Sequence, residues 1–560
     1  MIDYLGSHRK DDNNERGGVS PAEEILFESS VVVRKLIRLS SRCEILCLTL
    51  PEDGVEIRFH RWSPEDTNAT ASFRLASESS GFMTDDRLGT LLTDTRREDS
   101  SALWLPRESV VGRMDRHGRL KTFDDASVES WWEVKDAPTL HLRLVADDQA
   151  TVYWPMVVFF AGAPELGSDL FELDDVQQLR LVKSDWFDAS SPADLWKHFI
   201  DGSVFDPRDA GQGRFRCQQC AYAWWSYLEG LHRRSGKKHF RALARAVAWS
   251  VRFDLEPDGS WHHGFWNEEP EVHSRMLWDG VRLLLSEHEA APHAELLATA
   301  KKVATFAVEN LTQELDDNRL WFLHDSVEGL RPLRVYSPVL GRTEQNSLCL
   351  NTHVQALCVL AQMERVGGTD GDHFRDVYRR GLAALEAVLG LEFGTGPLKF
   401  VDRLLPRLFA CKVPHTFAER VLRFLTFRLL VGAYWWARER SGSLVFPSGY
   451  LDRDVGLTML ADEYHIVNLK DLVELSLVHP SRVVQRVITD AMRFTASLDF
   501  ARALERSPIW AEWSDVLEVF AEVDKVDIEI VRAQIHAALG GQALDTFCAS
   551  CGLWCSGRSE

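Results

Sequence analysis

The stretch from Gly449 to Leu472, GYLDRDVGLTMLADEYHIVNLKDL, gathers two tyrosines, Tyr450 and Tyr464, with Asp452, Arg453, Asp454, His465 and Asn468. Phenol and imidazole are groups of proton transfer, and guanidinium is suited to a two-point grip on a carboxylate. A tyrosine, with an ordinary pKa near about 10, moves protons at neutral pH only where its surroundings lower that value. The cluster heads a helical pattern, in which Leu460, Tyr464, Val467, Leu472, Val473 and Leu475 recur at three- and four-residue spacing. Asp462 and Glu463 stand near its N-terminal end, where the helix dipole favours acids. Polar groups this dense ahead of an apolar helix form either a rim of surface turns or the floor of a pocket. Tyr464, on the apolar stripe, is equally readable as a core residue with its hydroxyl tied off.

A second constellation is Trp261-His262-His263-Gly264-Phe265-Trp266-Asn267-Glu268-Glu269, followed by His273 and Arg275. Aromatics that stack on sugar rings, beside carboxylates and imidazoles, suit a loop at a cavity mouth. Glu268 or Glu269 with Asp325, Asp452 or Asp454 could form the carboxyl pair of a glycoside hydrolase. The plain alternative is a solvated acidic loop anchored by two tryptophans. His262, His263 and His273 fit no standard zinc spacing. Two CxxC pairs, Cys217 with Cys220 and Cys548 with Cys551, could together hold zinc, or be buried or free thiols.

The elements that must position these groups change along the chain. Residues 1–24 are polar and read as a disordered tail. From 25 to 188 short alternating runs such as Cys43–Leu50, Leu140–Val145 and Val152–Phe160, separated by turns such as Pro51-Glu52-Asp53-Gly54, predict a β-rich, sandwich-like domain. Residues 189–213 read as a linker, 214–540 as paired helices, and 541–560 as a cysteine-containing tail. The helices come as hairpins with a glycine turn, Tyr222–Arg233 with His239–Phe253 and Gln345–Val366 with His373–Leu389. Loops that bring back an aromatic, Trp261, Trp321, Phe400 and Phe446, follow the helices. Such hairpins predict an all-α (α/α) toroid or barrel, or an open solenoid. Two more helices are expected at about 398–441.

At 560 residues, 45% apolar and 26% charged, the chain has the composition of a soluble multidomain protein. A formal charge of −20 argues against a broad grip on nucleic acid or anionic membrane. There is no run long and apolar enough for a membrane span, and the N-terminal residues lack the apolar core of a secretory signal. Ten cysteines without such a signal suggest a reducing compartment, so a cytoplasmic location is expected.

Residues 215–500 resemble the C-terminal catalytic domain of D-glucuronyl C5-epimerases, which joins β-rich modules to an α/α barrel. That family has a Tyr-Asp-Leu-Arg-His segment ahead of a Tyr-His pair. Here Tyr450-Leu451-Asp452-Arg453-Asp454 precedes Tyr464-His465, and Leu350-Asn351 opens a helix as in the family. The family's Trp-Tyr-Glu-Glu-Tyr-Pro segment is replaced by Trp321-Phe322-Leu323-His324-Asp325-Ser326. The resemblance implies removal of a proton at C5 of a uronic acid and its return to the opposite face, with Tyr450 and Tyr464 as catalytic acid/base groups. It implies substrate contacts from Arg453, His465, Asn468 and Asn351, to which the loop residues Trp261, His263, Glu268 and Arg275 are added. No cofactor is implied, because the substrate carboxylate itself stabilises the carbanion. The expected partner is a glycan, and a homodimer is one option for assembly. Two other readings stay open: a glycoside hydrolase or uronate lyase on the same toroid, and a non-catalytic toroid that binds a glycan or a protein.

Overall fold

The computed structural model describes residues 2–7, 22–38, 43–62, 70–75, 82–85, 89–93, 102–106, 109–114, 120–122, 127–134, 138–145, 151–160, 192–202, 218–266, 269–328, 335–337, 341–343, 347–366, 372–391, 399, 402, 417–418, 421, 443–454 and 462–496. Most of the helical insert expected at 398–441, and the tail 541–560, lie outside them. The chain divides into two units, Met1–Asp254 and Leu255–Glu560, so the boundary falls later than the expected residue 214.

The first unit holds β1 (Ile2–Ser7), β2 (Ala22–Glu28), β3 (Val33–Arg38), β4 (Cys43–Leu50), β5 (Val55–Trp62), β6 (Thr70–Leu75), β7 (Phe82–Asp85), β8 (Gly89–Thr93), β9 (Ala102–Pro106), β10 (Val110–Met114), β11 (Leu120–Thr122), β12 (Ser127–Val134), β13 (Pro138–Val145) and β14 (Thr151–Phe159). They make a four-stranded sheet, β1-β6-β13-β12, and a ten-stranded sheet with the path β2-β3-β4-β5-β14-β9-β8-β7. The turn signal Pro51–Gly54 closes the β4–β5 hairpin, with Gly54 at a φ of 63° and its N–H on the Pro51 carbonyl at 3.2 Å. β14 is buried throughout and pairs along one side with β5. On its other side it passes from β10 to β9, and Pro155, which has no N–H to give, falls between those two pairings.

Two expectations are corrected here. Ile2–Ser7, inside the expected tail, is a strand paired with β6. The expected linker contains α1 (Pro192–Asp201), opened by proline at the position where a missing N–H costs nothing. Its Leu195, Trp196, Phe199 and Ile200 are buried, with Trp196 against Trp104 at 5.5 Å. α2 (Gln218–Ser235) and α3 (Lys238–Ser250) then form the expected hairpin, turning at Gly236 with a φ of 70°.

The second unit is built of helical hairpins: α4 (Ser274–Ala290) with α5 (Ala294–Asn310), α6 (Leu350–Val366) with α7 (Asp372–Leu389), and α8 (Asp462–Val478) with α9 (Arg482–Ala496). Between them run the two-stranded ribbons β15 (Gly264–Trp266) with β16 (Glu269–Glu271), β17 (Thr312–Asp316) with β18 (Arg319–Phe322), and β19 (Val335–Ser337) with β20 (Gly341–Thr343). α6 packs on α4, α7 and α8, and its residues from Leu350 to Leu360 are all buried. α4, α6 and α8 thus form an inner row and α5, α7 and α9 an outer one. Charge crosses the inner row: Arg275 on α4 pairs with Asp471 on α8 at 2.6 Å, Arg282 with Glu474 at 2.6 Å, and Gln355 on α6 donates to Asp279 on α4. No helix among the described residues is long and apolar enough to cross a membrane.

Candidate active site

The first turn of a helix carries N–H groups with no partner inside it. Loops supply those partners for two inner helices. Ser274, first residue of α4, donates its N–H to the His324 carbonyl at 3.0 Å, and Leu350, first of α6, donates to the Arg453 carbonyl at 2.8 Å. Both loops therefore cross helix N-termini, where the dipole favours an anion.

The side chains of those two residues meet. Arg453 Nη2 donates to His324 Nε2, so the ring proton sits on Nδ1, which donates to Asp325 Oδ2 at 2.7 Å. The Val327 N–H holds Asp325 Oδ1 at 2.9 Å. A carboxylate on one ring nitrogen fixes the tautomer and leaves the other nitrogen as a proton acceptor. On its other flank Arg453 lies over the Tyr464 ring, with Cζ 4.6 Å from the centroid, a cation–π contact. The His273 ring stands edge-on to His324 at 4.5 Å.

A buried polar layer holds this arrangement. Glu328 accepts the His324 N–H on one carboxyl oxygen and the Ser347 N–H on the other, both at 2.6 Å. Burial raises the Glu328 pKa, with His324 pulling the other way. Burial works against the charge of Arg453, but Cys349, Tyr464 and Asp454 outweigh it and keep the guanidinium protonated. Burial raises the Cys349 pKa, and its thiol donates to Asn351 Oδ1 at 2.9 Å. Leu348, beside it, takes a φ of 55°, a left-handed backbone that costs a branched residue about 1–2 kcal/mol. Asp325, Glu328 and Asp454 are 4%, 2% and 1% exposed, whereas the His324 and Arg453 side chains are 14% and 16% exposed and Tyr464 is half-buried. The groups that reach the surface of the cluster are thus an imidazole, a guanidinium and a phenol.

Of the residues expected from sequence, Arg453 and Tyr464 come together here. Asn468 and Asn351 are buried beside them: Asn468 Nδ2 holds the Asp452 carbonyl at 3.1 Å, and Asn351 takes the Cys349 thiol. Both side chains hold the loops in place. Tyr450 is a correction. Its ring is 0% exposed, stacked on His465 at 5.5 Å and edge-on to Phe446 and Phe494 at 5.3 and 5.6 Å, so it serves packing. His465 is a correction as well. It accepts the Leu451 N–H on Nδ1 at 2.9 Å, bonds Thr495 Oγ1 through Nε2, and burial lowers its pKa to about 3, so it is neutral and carries no charge for a carboxylate.

In the second constellation two of the expected substrate contacts lie in the interior. Trp261 and His263 are 0% exposed, and His263 Nδ1 accepts the His273 N–H at 2.9 Å. Arg275 spends its charge on Asp471. Glu268 lies outside the described residues, as do Cys217, Cys548 and Cys551, while Cys220 is buried in α2. Among the described residues no group of three or more His, Cys, Asp or Glu side chains could hold a metal ion.

Sequence reasoning missed His324 and Glu328. The signal for His324 was present, since aromatic, apolar residue, any residue, base, aspartate occurs twice, as Trp321–Asp325 and as Tyr450–Asp454.

No protein-family model and no curated protein matches the sequence. Among solved structures the chain is similar to a family 105 glycoside hydrolase of Clostridium acetobutylicum at 12% identity and a TM-score of 0.29, covering 48% of this chain. It spans 61% of that hydrolase, less than two thirds of its length. A polysaccharide lyase gives 11% identity and 0.26, over 91% of this chain and 82% of the other. Cellobiose 2-epimerase of Bacillus thermoamylovorans gives 8% and 0.25, over 51% and 80%. Likeness at this level carries neither a fold nor an activity over to this chain.

Proposed function

We propose that this chain is an enzyme that moves a proton at the carbon next to the carboxylate of a uronic-acid-containing glycan, in the manner of a C5-epimerase, with the hairpins of the second unit as part of an α/α toroid. The observation that carries this reading is a guanidinium held between two partly exposed proton carriers, His324 on one side and Tyr464 on the other. Arg453, near the N-termini of α4 and α6, suits the substrate carboxylate, which would draw it off His324 Nε2 and free that nitrogen. One of the two flanking groups then takes the C5 hydrogen as a proton. The electron pair spreads into the carboxylate held by Arg453, and the other group returns a proton to the opposite face. Tyr464 keeps the role implied by the epimerase resemblance, and His324, oriented by Asp325, takes the place expected of Tyr450. The reaction needs no organic cofactor. A hydrolase would need two carboxyl groups facing a sugar, and among the described residues of this cluster Asp325, Glu328, Asp452 and Asp454 are buried.

Incubation with a glucuronate polymer in deuterated water tests this. Deuterium at C5 without chain cleavage is the expected result. Unsaturated ends, absorbing in the near ultraviolet, would mean that the same carbanion expels the C4 oxygen, a lyase. Reducing ends without exchange, or binding without chemistry, would contradict the proposal.

A further inference from the structure

His353 and His465 occupy the same place in two hairpins. Each is the fourth residue of its inner helix, α6 or α8, and each is fully buried. Each Nδ1 accepts a backbone N–H from the segment that leads to the site, from Phe322 at the end of β18 at 3.2 Å and from Leu451 at 2.9 Å. The residue before that N–H stacks on the same imidazole, Trp321 on His353 at 3.8 Å and Tyr450 on His465 at 5.5 Å. Each Nε2 reaches the outer helix, His353 to the Gly381 carbonyl at 3.0 Å and His465 to Thr495 Oγ1 at 2.9 Å. Two residues beyond the bonded N–H stand His324 and Arg453, which meet in the site.

We propose that His353 and His465 are a matched pair of positioning residues, His353 setting the loop that carries His324 and His465 the loop that carries Arg453. An imidazole suits this because one nitrogen accepts from the loop while the other ties to the outer helix, and stacking fixes the ring plane between them. Burial lowers both pKa values to about 3, which keeps each Nδ1 free of a proton. Gly381 belongs to the same device, since a Cβ there would lie 3.4 Å from His353 Cε1 and 2.7 Å from Leu357 Cδ2. The catalytic consequence rests on the proposed proton-transfer reading; the placement of the loops does not.

Asparagine and glutamine separate the two nitrogens of histidine. Asn puts an acceptor where Nδ1 was, and Gln puts a donor where Nε2 was. Both lose the ring, so a common loss of stability cancels in their comparison. Phenylglyoxal labelling of Arg453, followed by peptide mass spectrometry on the full chain, needs no substrate. An N–H left unpaired inside the protein is worth about a tenfold change in the equilibrium of the loop. The expected result is that His465→Gln speeds labelling of Arg453 by about that factor relative to His465→Asn, while His353→Gln, which loosens only the His324 that accepts from Arg453, speeds it by less. With a glucuronate polymer, His465→Gln should raise KM and His353→Gln should lower kcat, whereas loss of folded protein would lower the apparent kcat of both and move neither KM. Equal labelling in the Asn and Gln variants at 465, or equal effects of the two Gln variants, would overturn the proposal. The labelling pattern without turnover by the wild type would keep the positioning pair and remove the proposed reaction.

Discussion

A phenol that is to move protons needs substrate or water at its oxygen. Tyr464 has partial exposure and Arg453 against its ring, while Tyr450 is fully buried between His465, Phe446 and Phe494. Tyr464→Phe, which keeps the ring under Arg453, is expected to slow inversion at C5 by about 10²–10⁴. Tyr450→Phe should leave exchange close to wild type. Tyr450→Ala should instead cost about 3–5 kcal/mol in a denaturant titration, as the loss of a large buried ring does. Both tyrosines were legible as candidates because they share one short polar segment. Their difference was not, because it is made by Phe494 and His465, whose approach is a matter of packing between helices. His324 was hidden for a related reason: Asp325 beside it is unremarkable in sequence, and Arg453 reaches it only in the fold.

The helical hairpins themselves were legible, because apolar spacing and glycine turns are local. The contacts across α4, α6 and α8 were not, and they decide how the site is held. Arg275 and Asp471 form a largely buried pair, so Arg275→Met alone, which leaves an uncompensated carboxylate, should cost about 3–5 kcal/mol. Adding Asp471→Leu should restore much of that loss, and a double-mutant cycle by chemical denaturation measures it. Asp279 in the same seam behaves differently. Burial raises its pKa from 3.8 to about 6, with Arg275 and Arg282 pulling the other way. The folded state therefore binds the proton more tightly, and Asp279 weakens the fold progressively as pH rises from 3.8 to 6. Asp279→Asn should stabilise the protein by about 3 kcal/mol above pH 6 and have little effect below 4.

At the scale of the whole chain, the division into a β-rich first part and helical hairpins was readable from the change of period. The strand at Ile2–Ser7 and helix α1 were not, because their pairing partners are distant in sequence. Four histidines share one property that composition does not reveal. Burial lowers His60, His353 and His465 from 6.5 to about 3, and His198 to about 4. Unfolded imidazoles take protons near pH 6.5 and folded ones do not, so their support is complete above 6.5 and is lost as pH falls toward 3–4. By about pH 5 each unit, with two of these residues, loses about 4 kcal/mol, of which Asp279 returns a part in the second. That is a large share of an ordinary domain's stability. Circular dichroism against pH should show unfolding begin near 5, and a transition confined to below pH 4 would contradict these buried neutral imidazoles.

The most direct test of the central claim is inversion at C5 of a glucuronate polymer in deuterated water, measured by NMR for the wild type, Tyr464→Phe and Tyr450→Phe side by side. Inversion with deuterium uptake in the wild type and in Tyr450→Phe, with loss of inversion in Tyr464→Phe, is the outcome expected of a guanidinium set between His324 and Tyr464. Inversion that survives Tyr464→Phe, or that disappears with Tyr450→Phe in a folded protein, would contradict it.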